Sequence, residues 1–258
     1  MKIVLIGTGN VSAVLGNLLV QHGHTIVQVY GRNSQKAAGL ANQLKSTWVT
    51  SLPRLETSAD LYLLAVSDDA IPVIAKQLRV PNQLVVHTAG SVSKEVLQAA
   101  SGEYGVLYPL QSLRSSIVTQ PSIPFLIDGS SDSSIQKLKE IAGSIGAGYQ
   151  VCSDEQRLDM HLAAVWVNNF PNLLYSIAFR LCTEKGLDFT LLVPLIQQTA
   201  ERVNGNDPWQ WQTGPAIRND EITIQRHEHL LQEHPEWLKL YQHLTILIQE
   251  AGKRYSTG

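Results

Sequence analysis

Up to Cys152, short apolar runs alternate along the chain with amphipathic stretches. Apolar runs between turn residues are typical of buried strands, and an apolar position at every third or fourth residue is typical of a helix. The predicted strands are Lys2–Gly7, Thr25–Tyr30, Leu61–Val66, Gln83–Thr88, Tyr104–Tyr108 and Pro124–Asp128. The predicted helices are Val11–Gln21, Ser34–Leu44, Ala70–Gln77, Lys94–Gln98 and Ser133–Ile145. This alternation predicts an α/β domain with a doubly wound, mostly parallel sheet.

After Cys152 the pattern changes, and only helical periodicity follows. Ser153 with Gln156 three residues later is a capping-box pattern, which predicts a long helix to about Lys185 with a kink at Pro171. Further helices are predicted from Asp188 to Val203, from Asp220 to Gln232 and from Pro235 to Lys253. We therefore expect two domains: residues 1–152 form the α/β domain and residues 153–258 an all-α domain.

The turn between the first predicted strand and the first predicted helix reads Gly7-Thr8-Gly9-Asn10-Val11-Ser12. Gly7 suits a tight turn and Gly9 the close approach of a pyrophosphate, while the amides of the next helix point at the anion. Ser12 stands where the dinucleotide-binding pattern has its third glycine, and it is small enough for the helix to pack on the strand. The strand-loop-helix context therefore predicts a Rossmann-type nucleotide site at Gly7, Thr8, Gly9, Asn10 and Val11, and favours it over a purely structural turn.

The end of the second predicted strand indicates which dinucleotide binds. NAD sites usually have an Asp or Glu there for the ribose hydroxyls, whereas this chain has Arg32, Asn33 and Ser34 and no acidic residue before Glu56. A guanidinium can pair with a 2′-phosphate, and the neighbouring residues can add hydrogen bonds. We expect these three residues to bind that phosphate, so NADP is favoured over NAD. The alternative for Arg32 is a solvated charge, and the absent carboxylate also argues against S-adenosylmethionine.

Small and hydroxylated residues follow the third and fourth predicted strands, at the edge where open α/β sheets bind ligands. The residues expected to line the nicotinamide side are Val66, Ser67, Thr88, Ala89, Gly90 and Ser91. Asp68 and Asp69 precede a helix that contains Pro72, so N-capping is favoured for them over a catalytic role. The stretch from Tyr108 to Ser112 either adds a phenol and an amide to the pocket or forms a rigid loop.

Candidates for the chemistry lie on the first helix after Cys152. At about 100° per residue, Asn168 and Asn172 fall within about 20° of His161, and Asn169 flanks them. His161 could donate a proton, and Asn169 and Asn172 could orient a carbonyl or an imine. A solvated helix face or a subunit interface explains the same stripe.

A second candidate is the stretch from Pro208 to Asp220, with two Trp residues and a Thr-Gly-Pro turn. It could close over a ligand, with Arg218 binding an anionic group, or it could pack at a domain or dimer interface. Asp220 is the predicted cap of the next helix. His227 and His229 point to different sides of a helix, so no metal site is expected there.

Composition excludes several classes of protein. A net charge of −2 over 258 residues gives no broad basic surface for nucleic acid. The apolar stretches fall short of the ~20 residues that a membrane helix needs. A strand-like run begins directly after Lys2, so we expect no targeting leader. Cys152 and Cys182 have no metal-type spacing and are expected to be reduced thiols, which fits a cytoplasmic protein.

Motifs over nearly the full length resemble a family of Rossmann-like proteins with a helical C-terminal domain of unknown function. This family is related to pyrroline-5-carboxylate reductase and to the deazaflavin-dependent NADP reductases. The resemblance rests on residues 7–11, 87–91, 108–111, 161–164, 168–172 and 212–220. It implies NADP as cofactor, a helical domain that forms a homodimer, and an active site between the two domains. The family commonly has His where this chain has Tyr108.

The chain departs from the wider group of hydroxyacid dehydrogenases and ketopantoate reductases. In that group a catalytic Lys lies four residues before an Asn, whereas Ala164 and Val165 precede Asn168 and Asn169 here. Lysine-assisted carbonyl reduction is therefore not expected. The favoured function is an NADP-dependent oxidoreductase that transfers a hydride between nicotinamide and a C=N or C=O group of a small metabolite. The alternative is a catalytically silent NADP(H) sensor or scaffold.

Overall fold

The computed structural model describes residues 1–117, 122–205 and 207–255. The chain divides into two compact units, Met1–Phe170 and Pro171–Gly258. Among the described residues, the last strand ends at Val151 and only helices follow. The predicted fold class, an α/β sheet domain followed by a helical region, is therefore confirmed. The predicted domain boundary after residue 152 lies before the division between the compact units and stays a prediction.

The first unit is built on an eight-stranded sheet. Its strands are β1 (Lys2–Ile6), β2 (Thr25–Tyr30), β3 (Thr47–Val49), β4 (Leu61–Leu64), β5 (Leu84–His87), β6 (Tyr104–Pro109), β7 (Phe125–Gly129) and β8 (Tyr149–Val151). They lie in the order β3-β2-β1-β4-β5-β6-β7-β8, and only the β6–β7 pair is antiparallel. The strand order reverses direction beside β1, which is the point where doubly wound sheets bind their ligands.

The helices of the first unit are α1 (Asn10–Gln21), α2 (Ser34–Gln43), α3 (Ala70–Gln77), α4 (Asp132–Ser144) and α5 (Asp154–Ala164). They are followed by α6 (Phe170–Glu184), α7 (Val193–Glu201), α8 (Glu221–Leu230) and α9 (Pro235–Tyr255). Short 3₁₀ turns occur at Leu52–Arg54, Lys94–Leu97, Phe189–Leu192 and Pro208–Trp211, so the helix predicted at Lys94–Gln98 is a 3₁₀ turn instead. Within the described ranges, no helix has the length and apolar character needed to span a membrane.

Strand β1 shows why the sheet has helices on both faces. Ile3 and Leu5 pack in one apolar cluster with residues of α1, α2 and α4, while Val4 and Ile6 pack in a second cluster with residues of α3. All four side chains are fully buried. Because neighbouring side chains on a strand point to opposite faces, a continuous apolar run requires cover on both.

The long helix predicted after Cys152 begins as expected but is interrupted. Ser153 and Gln156 form the predicted capping box, with each side chain accepting a backbone N–H of the other residue. A π-helical segment at Val165–Asn169 then separates α5 from α6. The prediction of one uninterrupted α-helix to about Lys185 is therefore wrong, and the kink at Pro171 stays a prediction. The π segment also changes the rotation per residue, so the α-helical projection behind the predicted stripe does not apply across it, and a joint role of His161 and Asn172 stays a prediction.

Candidate active site

A groove of about 1000 Å³ runs along the carboxyl ends of the central strands, within the first compact unit. Most of the predicted cofactor-binding residues line it: Gly7, Thr8, Gly9, Asn10, Val11, Arg32, Val66, Ser67, Thr88, Ala89 and Gly90. His161 and Tyr108 also line it. Cofactor sites are typically concave and few per protein, so this groove is the candidate site.

The loop after β1 has the shape that a pyrophosphate site requires. Gly7 has φ +127°, and a Cβ there would lie 2.1 Å from the carbonyl oxygen of Ala65, so only glycine fits. Ser12, at the position of the usual third glycine, is fully buried and donates a hydrogen bond of 3.1 Å to the same oxygen. By contrast, no atom lies within 4 Å of a Cβ built on Gly9. The backbone at Gly9 is therefore open to a ligand in the groove.

Two features of the groove fit a phosphorylated dinucleotide. Helix α1 begins after Gly9 with no side-chain cap and no acidic residue in its first turn, so its first amides are available to an anion. Arg32 follows β2 and lines the groove with an exposed side chain. The residues present thus fit a pyrophosphate at α1 and a further phosphate at Arg32.

Three predicted cofactor residues, Asn33, Ser34 and Ser91, are not among those that line the groove. Asn33 caps α2, since its side-chain oxygen accepts the Lys36 N–H at 2.9 Å. The Ser91 hydroxyl donates to the carboxylate of Asp68. Their contribution to cofactor binding stays a prediction.

The capping interpretation of Asp68 and Asp69 is wrong. Asp69 occupies the N-cap position of α3 but makes no side-chain capping bond, and Asp68 accepts from Ser91 instead. Both carboxylates line the groove. They are the acidic residues among those that line the groove.

Tyr108, at the end of β6, meets His161 of α5. The phenolic oxygen lies 2.9 Å from Nδ1 of the imidazole, and the rings are in edge contact. Of the phenol and the amide predicted for the stretch from Tyr108 to Ser112, the phenol lines the groove, whereas Gln111 is not among the lining residues. Asn169 is exposed in the π segment. Asn172 and Arg218 belong to the second compact unit, so the catalytic roles of all three stay predictions.

Arg157 is a site-building residue that the sequence analysis does not identify. Its side chain is only 1% exposed, although a buried charge needs paired hydrogen bonds. Nε donates to the carbonyl of Gly90, and Nη2 donates to the carbonyl of Val92 and, at 2.8 Å, to the Asp154 carboxylate. The sequence feature that could have identified Arg157 is its four-residue spacing from His161, which places the two residues one helical turn apart on the same face.

Burial and charge shift the pKa values of groups around the groove. Burial lowers the pKa of His87 to about 4, and the positive charge of Arg157 contributes in the same direction. Burial raises the pKa of Tyr108, and the negative charge of Asp68 adds to the effect. His87 is therefore a neutral, structural imidazole whose Nδ1 accepts the N–H of Ala89.

The second unit contains the other predicted candidates. Asp220 caps α8 by accepting the Thr223 N–H, as predicted. The Trp209 ring packs against Tyr255 at 5.1 Å between centroids, so this stretch contacts the end of α9. Its role as a ligand cover or an interface stays open. In the part of the chain that the structure describes, no three metal-binding side chains cluster.

Fold and groove together define a Rossmann-type dinucleotide-binding protein with a helical C-terminal region. Residues 2–90 match the family model described as NADP oxidoreductase, coenzyme F420-dependent, and residues 123–248 match the domain of unknown function DUF2520. The chain belongs to the family of NADP oxidoreductase-type proteins in which a DUF2520 domain follows the Rossmann domain. No protein of curated function matches its sequence.

Similarity to solved structures supports this assignment. A proposed NADP oxidoreductase from Bacteroides fragilis is 36% identical, with 96% of this chain and 98% of that chain covered and a TM-score of 0.90. An imine reductase from Myxococcus stipitatus, solved with NADP⁺, is 17% identical over 98% and 95% of the two chains, with a TM-score of 0.67. Pyrroline-5-carboxylate reductase from Streptococcus pyogenes is 15% identical over 97% and 98%, with a TM-score of 0.63. These two show the shared fold.

The low pKa of His87 predicts that stability falls in mild acid. Between pH 6.5 and about 4, the unfolded chain binds a proton at this residue and the folded chain does not, so protonation favours unfolding. We expect the free energy of unfolding to fall by about 2 kcal/mol from this group between pH 7.5 and 5. His87→Asn, which keeps an acceptor but does not titrate, should remove this component in urea unfolding. An equal pH dependence in both proteins would contradict the assignment.

Proposed function

We propose that this protein is an NADP(H)-dependent oxidoreductase that transfers a hydride between nicotinamide and a C=N or C=O group of a small metabolite. The observation that supports it is one groove with phosphate-binding features at one end and a Tyr108–His161 pair at the other. Bound NADPH would supply the hydride. The similarity to an imine reductase and to pyrroline-5-carboxylate reductase supports the choice of these two groups.

In this proposal the protein's own residues position the cofactor and handle the proton. The amides of α1 bind the pyrophosphate, Arg32 pairs with the 2′-phosphate, and Thr88 to Gly90 line the nicotinamide side. His161 donates a hydrogen bond or a proton to the substrate nitrogen or oxygen. Asn169, Asn172 and Arg218 remain candidates for orienting the substrate.

Removal of the Arg32 side chain should weaken the binding of NADPH but not that of NADH. A guanidinium-phosphate pair contributes about 1.5–3 kcal/mol, so Arg32→Ala should weaken NADPH binding by about 10- to 100-fold and leave NADH binding nearly unchanged. Titration calorimetry of both cofactors measures this. Arg79→Ala is the matched control, because Arg79 bonds to the main-chain carbonyl of Leu78 and does not line the groove. Equal losses for both cofactors would refute the 2′-phosphate assignment.

Oxidoreductase activity is tested by NADPH oxidation with a panel of cyclic imines, ketoacids and ketones. We expect turnover with at least one class, and His161→Ala should lower kcat by about 10²- to 10⁴-fold with little change in NADPH affinity. His22→Ala, at the exposed end of α1, is the control. Cofactor binding without hydride transfer to any compound would favour the silent sensor over the oxidoreductase.

We also propose that the protein forms a homodimer through its helical region. Helices α6 and α7 are rich in apolar residues, yet neither contains a buried one; Phe179 is 53% and Leu195 59% exposed. Apolar surface of this kind is normally covered in a stable protein. Light scattering should give the mass of a dimer, and Leu195→Glu should dissociate it while Trp48→Glu on β3 does not. A monomer at every concentration would contradict the proposal.

A further inference from the structure

The contact between Tyr108 and His161 joins two residues that are 53 positions apart in the sequence. The phenolic oxygen lies 2.9 Å from Nδ1, and the ring planes are inclined by 77°. The phenol comes from the end of a sheet strand and the imidazole from helix α5. Because both elements belong to the first compact unit, this pair is a fixed part of the groove wall.

Gly90 and Arg157 hold the imidazole in this position. A Cβ on Gly90 would lie 2.8 Å from Nδ1 of His161, so the absence of a side chain at residue 90 lets the ring approach the loop. The same residue's carbonyl accepts a hydrogen bond from Arg157, one helical turn before His161. The loop and this face of α5 are thus tied together, and any side chain at residue 90 would collide with the imidazole.

The chemistry of the two groups indicates which one donates. A phenol is the stronger hydrogen-bond donor, and an unprotonated imidazole nitrogen is the stronger acceptor. Burial and the charge of Asp68 raise the pKa of Tyr108, so the phenol keeps its proton. An O–H that donates to Nδ1 leaves the imidazole proton on Nε2. Among the hydrogen bonds of the described residues, Nε2 of His161 takes part in none, so it is available to a ligand in the groove.

We propose that Tyr108 is a positioning residue for His161: its phenol donates to Nδ1 and thereby fixes the tautomer that presents Nε2–H to the substrate. This inference rests on the proposed oxidoreductase function. Bound NADPH would supply the hydride to the substrate carbon, and Nε2 of His161 would give its proton to the nitrogen or oxygen of the C=N or C=O group. Nδ1 then takes the phenolic proton, and the resulting phenolate is reprotonated by solvent. After hydride addition, the anionic nitrogen or oxygen of the substrate is far more basic than a phenolate. Proton transfer from Tyr108 through His161 to the substrate is therefore favourable in free energy.

The tautomer is measured directly by long-range ¹H–¹⁵N correlation spectra of the full-length protein labelled with ¹⁵N-histidine. The His161 signals are assigned by their loss in His161→Gln. For the neutral imidazole we expect a protonated, pyrrole-type Nε2 and an unprotonated, pyridine-type Nδ1, with and without NADPH. Tyr108→Phe should shift the Nδ1 signal toward that of a histidine whose Nδ1 accepts no hydrogen bond. A proton on Nδ1 of His161 in the wild-type protein would overturn the proposal.

Tyr104→Phe is the matched control for the phenol. Tyr104 lies on the same strand, and its hydroxyl donates to Glu95 at 2.6 Å, so its loss should leave the His161 signals unchanged. An equal shift in both variants would mean that Tyr108 has only a structural role and would refute the proposal.

Activity provides an independent readout. With a substrate from the panel above, Tyr108→Phe should lower kcat by up to about 10²-fold with little effect on KM, whereas an unchanged kcat would contradict the relay. The spectra are interpretable without a substrate. Failure of the oxidoreductase function and failure of the Tyr108 assignment are therefore distinguishable.

Discussion

The buried guanidinium of Arg157 is the interaction on which the geometry of the candidate site depends. This charged group is only 1% exposed, so its hydrogen bonds inside the protein matter. Nε and Nη2 bond to the carbonyls of Gly90 and Val92 and to the carboxylate of Asp154, while Nη1 has no hydrogen-bond partner among the described residues. Asp154 in turn accepts the backbone N–H of Lys94. This hydrogen-bond network thus fixes the first turns of α5 against the loop after β5. It thereby also positions His161, which lies on the same helix.

How far the fold could be predicted depends on where each strand lies in the sheet. Central strands such as β1 and β4 are buried on both faces, so they carry continuous apolar runs that stand out in the sequence. β3 and β8 are not among the predicted strands. Each has three residues, lies at an edge of the sheet and has mostly exposed side chains. An edge strand forms mainly because it pairs with its neighbour, so its own sequence need not contain a run of apolar residues.

For the candidate site, too, some parts can be predicted from neighbouring residues and others depend on long-range contacts. The glycine loop is local: its turn, its open backbone and the helix start all follow from residues 7–12, and the groove includes most of them. Tyr108 and His161 meet only because β6 and α5 are packed into one unit, which no spacing rule encodes. The stripe from His161 to Asn172 rests on an α-helical projection, and such a projection cannot anticipate the π segment at Val165–Asn169.

The distribution of charge along the sheet edge gives the groove a direction. Arg32 follows β2, and no acidic residue occurs in the chain before Glu56, so the β1-α1-β2 end presents cationic and amide groups alone. The acidic residues that line the groove, Asp68 and Asp69, follow β4 on the other side of β1. A dinucleotide with three phosphate groups is attracted to the first end and repelled from the second. In the proposed function, that asymmetry favours the orientation in which the phosphates lie at the β1-α1-β2 end and the nicotinamide would lie along β4 and β5, toward Tyr108 and His161.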